Sequence, residues 1–145
     1  MVNFAYGSNL CRERLLARCP NALDRGIAFV SGYRLEFYGT ADAEPDPSAS
    51  LPCVAWELTP QDERNLDLCE GLNLTPPSYK KVLVDATASD GTRLSGFIYV
   101  MTQSRRVRDP RAPTNKYRRL VERGYDERGF DHSSLLRALK NTELA

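Results

Sequence analysis

One histidine, His132, stands among 145 residues. That scarcity argues against a Ser-His-Asp or Cys-His nucleophile system, because His132 falls at a predicted helix cap near the C-terminus. Any hydrolase-like chemistry would have to run on a carboxylate. Cysteines are few and unpaired in sequence: Cys11, Cys19, Cys53 and Cys69 form no C-x-x-C motif. A structural zinc site wants four ligands at close paired spacings, so no metal is expected, and the thiols read as reduced and mostly buried. Neither sign of charge dominates. The net charge is +1, which leaves no electrostatic footprint for nucleic acid or membrane. No run approaches the ~18 apolar residues of a membrane span. The N-terminus lacks a basic stretch followed by an apolar one, so no signal peptide is read and a cytoplasmic protein is expected.

What is present is enough for one domain spanning 1–145, with 41% hydrophobic residues. A chain of this size buries about 70% of its unfolded surface and needs no staples. "VNFAY" (2–6) reads as a short buried strand ended by Gly7, and "NLCRERLLARCP" (9–20) as a helix capped by Asn9 or Ser8. Residues 25–39 have strand character with bends at Gly32 and Gly39, and "TADAEPDPSASLP" (40–52) reads as a surface loop. "CVAWEL" (53–58) is a second buried strand. The helix at 59–71 has Thr59 as cap, Pro60 in its first turn and Gly71 as its stop. Strands at 78–86 and 93–101 flank Asp90-Gly91, a hairpin signal. A basic loop (102–113) precedes helices at 114–124 and 131–141; Leu135, Leu136 and Leu139 of the last are expected inward. The pattern predicts an α+β fold with a strongly bent or closed sheet and helices outside.

Four features could carry chemistry. The strand ending at Tyr6 drops into Gly7-Ser8-Asn9 where a helix begins, so unpaired N–H groups there could hold an anion or a developing oxyanion; a plain capped turn fits the same spacing. Glu70 ends a helix before Gly71, at the negative end of the dipole, which would raise its pKa toward that of a general base; a solvated surface glutamate is the plainer reading of the same position. Tyr6, Tyr79, Tyr99 and Tyr117 are either core or pocket residues. Arg105, Arg106, Arg108 and Arg111 are either a solvated surface or a clamp for an acidic group.

"YGSNL" (6–10) together with "LDLCEG" (66–71) resembles the γ-glutamylcyclotransferase-like (AIG2-like) family. "CVAWEL", "SYKKVLV" (78–84), "FIYVMT" (97–102) and "NKYRRLVERGYDERGF" (115–130) follow in the order that family uses. The resemblance implies a small mixed-strand β-barrel flanked by helices. It implies release of 5-oxoproline from a γ-glutamyl compound by attack of the substrate's own α-amine on its γ-carbonyl, without cofactor. Carried over, Tyr6, Gly7, Ser8, Asn9 and Leu10 would hold the glutamyl moiety, Glu70 would act as general acid/base, and Tyr99 and Tyr117 would line the pocket. The partner implied is a small-molecule γ-glutamyl substrate, with no nucleic acid and no membrane. A group on a larger carrier and a non-catalytic binding module on the same fold stay open, as do monomer and homodimer. The sequence departs from the family at Cys53, where glycine is usual, and in its unusually basic loop.

Overall fold

The computed structural model describes residues 1–106 and 109–143. Arg108, part of the expected basic loop, lies outside the described residues. Five strands close into a barrel in the order β1 (Val2–Ala5), β3 (Thr40–Glu57), β2 (Leu23–Tyr38), β4 (Tyr79–Ala88), β5 (Arg93–Met101). All neighbours are antiparallel except β1 and β5, which meet in parallel at Asn3 and Phe97, so the barrel is mixed. Gly96 permits that closure: a Cβ there would lie 2.3 Å from the Val2 carbonyl oxygen. Phe4, Leu35, Phe37, Trp56, Phe97 and Ile98 are fully buried in the core. This is the α+β barrel expected from the sequence.

Among the described residues four α-helices lie around the barrel: α1 (Arg12–Arg18), α2 (Pro60–Cys69), α3 (Asn115–Arg128) and α4 (Ser133–Glu143). Thr59 caps α2 by accepting the Asp62 N–H at 3.1 Å, and Pro60 occupies its first turn as expected. Gly71, at φ +73°, turns the chain away immediately after Glu70. Asp131 accepts the Ser133 N–H at the start of α4. Leu135 and Ala138 of α4 are buried, but Leu136 is 60% exposed, because the 3.6-residue period that buries 135 and 138 carries 136 outward.

Residues 40–52 are not a surface loop. They begin β3, paired with β2 from Tyr38–Thr40 to Leu23–Glu57. The tight reversal is made at Gly39, φ +84°. Ala41, Asp42 and Ala43 are buried, and the Pro- and Ser-rich stretch falls where the register shifts between Ser31–Ser50 and Tyr33–Pro45. Prolines that would break a central strand are tolerated at such an irregularity.

The second departure lies after Gly7. A single 3-10 turn, Ser8–Leu10, comes first, and α1 follows with Cys11 as its cap and no side-chain cap bond. Ser8 and Asn9 do not cap α1; their side chains are engaged elsewhere.

Candidate active site

The first strand and the end of α2 open onto one cavity of about 310 Å³. Tyr6, Gly7, Ser8 and Asn9 line it from one stretch of the chain, Glu70 and Gly71 from another, and Tyr79, Tyr99 and Tyr117 add to the lining. Leu10 is not among the lining residues. It is fully buried and packs under α3, where a Cβ on Gly124 would come within 2.3 Å of the Leu10 Cβ.

Each wall has a local cause. Gly7 sits so close to its surroundings that an added Cβ would lie 2.8 Å from the Ala41 Cβ and 3.1 Å from the Tyr117 hydroxyl. Only glycine lets the chain pass there. The Asn9 carbonyl accepts the Trp56 indole N–H at 3.2 Å, tying the turn to the barrel. The Asn9 side chain faces the other way and donates Nδ2–H to Glu70 Oε1 at 3.0 Å. Two residues 61 positions apart are thereby joined, and the loop and the glutamate form one site.

Glu70 is held but not neutralised. Arg18 Nη1 lies 3.7 Å from its Oε1 and donates to Asn9 Oδ1 at 3.2 Å. Its side chain is 16% exposed. Burial lifts the Glu70 carboxyl above the ordinary carboxylate range; Arg18, the Asn9 hydrogen bond and Arg14 oppose the shift without cancelling it. The sequence-level expectation of a raised pKa therefore agrees in direction, with desolvation as the main cause instead of the helix dipole.

The tyrosines are locked by their hydroxyls. Tyr6 donates to the Tyr99 carbonyl. Tyr99 donates to Asp67 Oδ1 at 2.6 Å, and Lys81 in turn contacts Asp67 at 2.9 Å. Tyr117 accepts the Ala41 N–H at 3.1 Å, and Tyr79 donates to the Ala41 carbonyl at 2.7 Å. Burial pushes the Tyr6, Tyr79, Tyr99 and Tyr117 phenols upward, so all four remain neutral at physiological pH.

Sequence reasoning missed Asp67, Arg14 and Arg18. The arginines stand four apart on α1, so they share a face, and their nearness to the Gly-Ser-Asn turn was the available signal. Of the basic loop, Arg105 lines the cavity. Arg106 instead pairs with buried Asp42, and Arg111 joins Tyr38 through a backbone bridge. Among the described residues no cluster of three or more His, Cys, Asp or Glu side chains is placed to hold a metal ion. Among them also, no helix is long and apolar enough to cross a membrane.

Similarity to known proteins follows the same elements. A family model described as "Gamma-glutamyl cyclotransferase, AIG2-like" matches residues 3–119. The gamma-glutamylcyclotransferase of Bos taurus is 26% identical over 139 residues, covering 88% of this chain and 71% of the relative. The protein of the same name from Homo sapiens is 24% identical over 151 residues, covering 94% and 77%. A solved structure named gamma-glutamyl cyclotransferase superposes with a TM-score of 0.79 at 23% identity, covering 96% of this chain and 85% of that one; it is a likeness of fold. With the match running from the first strand into α3, this chain belongs to the gamma-glutamyl cyclotransferase, AIG2-like family.

Proposed function

We propose that this chain releases 5-oxoproline from a γ-glutamyl compound by intramolecular cyclisation, with Glu70 as the general acid/base. The observation that carries the reading is the joint placement of Glu70 and the Tyr6–Asn9 loop on one cavity, linked by the 3.0 Å Asn9–Glu70 hydrogen bond. In the reaction the lone pair of the substrate's α-amine attacks its γ-carbonyl carbon. Glu70 takes a proton from the attacking nitrogen and gives it to the departing amine as the γ-amide C–N bond breaks. The products are 5-oxoproline and a free amine, with no water consumed.

The α-amine of a γ-glutamyl compound stands beside its own α-carboxylate and is mostly protonated at pH 7, so a base must take its proton before it attacks. Orientation carries more, because ring closure needs the amine held over the carbonyl carbon. Tyr6, Tyr99 and Tyr117, fixed by their hydroxyls, supply rigid walls for that purpose, and the backbone of Gly7, Ser8 and Asn9 supplies donors for the polar head or the developing oxyanion. Leu10 acts indirectly, as the buried support of the loop. Four free cysteines, Cys11, Cys19 and Cys53 buried and Cys69 exposed, fit a reducing compartment such as the cytoplasm.

The test is product analysis by mass spectrometry in ¹⁸O-labelled water. Cyclisation yields unlabelled 5-oxoproline from a γ-glutamyl substrate. Labelled glutamate would mean hydrolysis, and no product from any member of a broad panel would favour a binding module.

A further inference from the structure

Glu70 is joined to the loop by the Asn9 side chain, and a third residue decides which way that joint faces. A side-chain amide has two unlike ends: its oxygen only accepts and its NH2 only donates. Either end of Asn9 could meet a carboxyl group. The NH2 end favours the anion, and the oxygen end favours the protonated acid. What turns the amide therefore bears on how the base works.

Arg18 turns it. This residue closes α1, and its Nη1 donates to Asn9 Oδ1 at 3.2 Å. A guanidinium only donates, so the oxygen end of the amide must face it. The NH2 end is left for Glu70 and donates Nδ2–H to Oε1 at 3.0 Å. A reversed amide would set NH2 against guanidinium and oxygen against carboxylate, and both bonds would be lost. Arg18 Nη1 also lies 3.7 Å from Oε1. Both contacts fall on the same carboxylate oxygen, so a proton on Glu70 is least disfavoured on the other, Oε2.

The end of α1 is itself fixed to the helix that carries Glu70. Cys19, directly after Arg18, is fully buried, and its Sγ donates to the Asp62 carbonyl of α2 at 3.4 Å. The Asn21 N–H donates to Asp62 Oδ2 at 2.9 Å. Arg14, one turn earlier, also reaches the loop, but its Nε goes to the Ser8 hydroxyl at 3.0 Å. A hydroxyl can rotate to donate or accept, so that contact imposes no orientation on its partner.

We propose that Arg18 is the positioning residue of the base: by fixing the Asn9 amide it keeps Oε1 of Glu70 occupied and confines proton exchange to Oε2. This rests on the cyclotransferase reading and adds to it the oxygen that acts. Oε2 takes one proton from the α-nitrogen as its lone pair closes on the γ-carbonyl carbon. The same oxygen returns that proton to the departing nitrogen as the γ-amide C–N bond breaks, and the carboxylate is restored. The other ionisable groups at this cavity are Arg14, Arg105 and the neutral phenols of Tyr6, Tyr79, Tyr99 and Tyr117, together with Cys69 beside Glu70 on α2. Of the three arginines there, Arg18 is the one that donates to Asn9.

The test compares Arg18→Met and Arg18→Lys, each alone and with Asn9→Ala, with melting temperatures recorded. In 5-oxoproline release, Arg18→Met should lower the plateau kcat above the acid limb about tenfold, leave KM within about twofold, and move the limb upward by about one pH unit. Lysine also only donates, so Arg18→Lys should recover most of the plateau. On the Asn9→Ala background Arg18→Met should lower the plateau no further, because the joint it acts through is gone. Arg18→Gln carries the same expectations if the methionine variant does not fold. An unchanged plateau, a loss that falls on KM, or losses that multiply in the double variant overturns the proposal. NMR supplies a readout without turnover: the Asn9 side-chain NH2 resonances should follow the Glu70 carboxyl titration in the parent and cease to follow it in Arg18→Met. Release of 5-oxoproline with that coupling intact in Arg18→Met removes the positioning role and leaves the cyclotransferase standing. Coupling lost in Arg18→Met, with no release by the parent from any γ-glutamyl compound, keeps the Arg18–Asn9–Glu70 arrangement and removes the reaction.

Discussion

Two carboxylates of this protein are drawn out of water, Asp42 on β3 and Glu70 at the end of α2, and they are treated in opposite ways. Asp42 is fully buried, accepts the Met101 N–H at 2.8 Å and is paired directly with Arg106. Glu70 keeps a little solvent exposure, accepts one hydrogen bond from a neutral amide, and has its nearest guanidinium at 3.7 Å. Burial lifts both carboxyls above their ordinary range. The difference is in what surrounds the proton. Every strong partner of Asp42 belongs to the protein and holds the anion in place, joining the loop after β5 to β3. Glu70 has one oxygen committed and opens on a cavity, which is what a group that must gain and lose a proton requires. A buried carboxylate is thus a strut or a base according to how completely its partners saturate it.

The largest effect that sharpens this contrast is at the base. Glu70→Gln keeps the shape and removes the proton acceptor, and turnover should fall about 10³-fold. Stability should move the other way. A carboxyl whose folded pKa is raised contributes stability that is fully present below its unfolded pKa and is lost as pH rises through the folded one. Where Glu70 is ionised it is therefore a net cost, and the Gln variant should melt no lower than the parent by calorimetry. The same shift places the acid limb of the parent's pH–rate profile above the ordinary glutamate range, so turnover rises with pH through the Glu70 pKa.

The strut should behave in reverse. Arg106→Ala leaves the Asp42 charge buried without its ion partner, and denaturant unfolding at neutral pH should show a loss of about 3 kcal/mol. Because the raised Asp42 pKa rises further without Arg106, the loss should shrink as pH is lowered toward the range where Asp42 is protonated in both states. An equal loss at low and neutral pH would break the comparison.

Smaller effects probe how the base is held. Gly7→Ala puts a Cβ 2.8 Å from that of Ala41; overpacking should cost about 1–3 kcal/mol of stability, and displacement of the loop about 10²-fold in turnover. Trp56→Phe removes the indole donor to the Asn9 carbonyl and should cost about 1 kcal/mol in unfolding. Because Asn9 links Trp56 to Glu70, that variant should also show a shifted acid limb in its pH–rate profile, which a purely structural role would not produce.

Much of this was legible in the amino-acid sequence because it is encoded locally. Thr59-Pro60 and Gly71 bracket α2, and Asp90-Gly91 turns the hairpin of β4 and β5. Tyr6-Gly7-Ser8-Asn9-Leu10 and Glu70-Gly71 carry the family resemblance. What was not legible depends on distant partners. Asn9 looked like a cap because short polar side chains before a helix usually are, but its amide is taken by a glutamate 61 residues away. Residues 40–52 looked like a loop because Pro45, Pro47 and the serines are punctuating residues; pairing with β2 overrides them, and the prolines fall where the register shifts. The basic loop read as one patch, yet Arg105 and Arg106 face different fates, one toward the cavity and the other onto Asp42. Adjacent identical residues carry no sequence signal that separates them.

The measurement that bears most directly on the account is 5-oxoproline release from γ-glutamyl-alanine by the parent and by Glu70→Gln, with melting temperature recorded for both. The account predicts release by the parent, a loss of about 10³-fold in the variant, and a variant that is no less stable. Release that survives the substitution, or that vanishes only because the variant has unfolded, would contradict the assignment of Glu70 as the base.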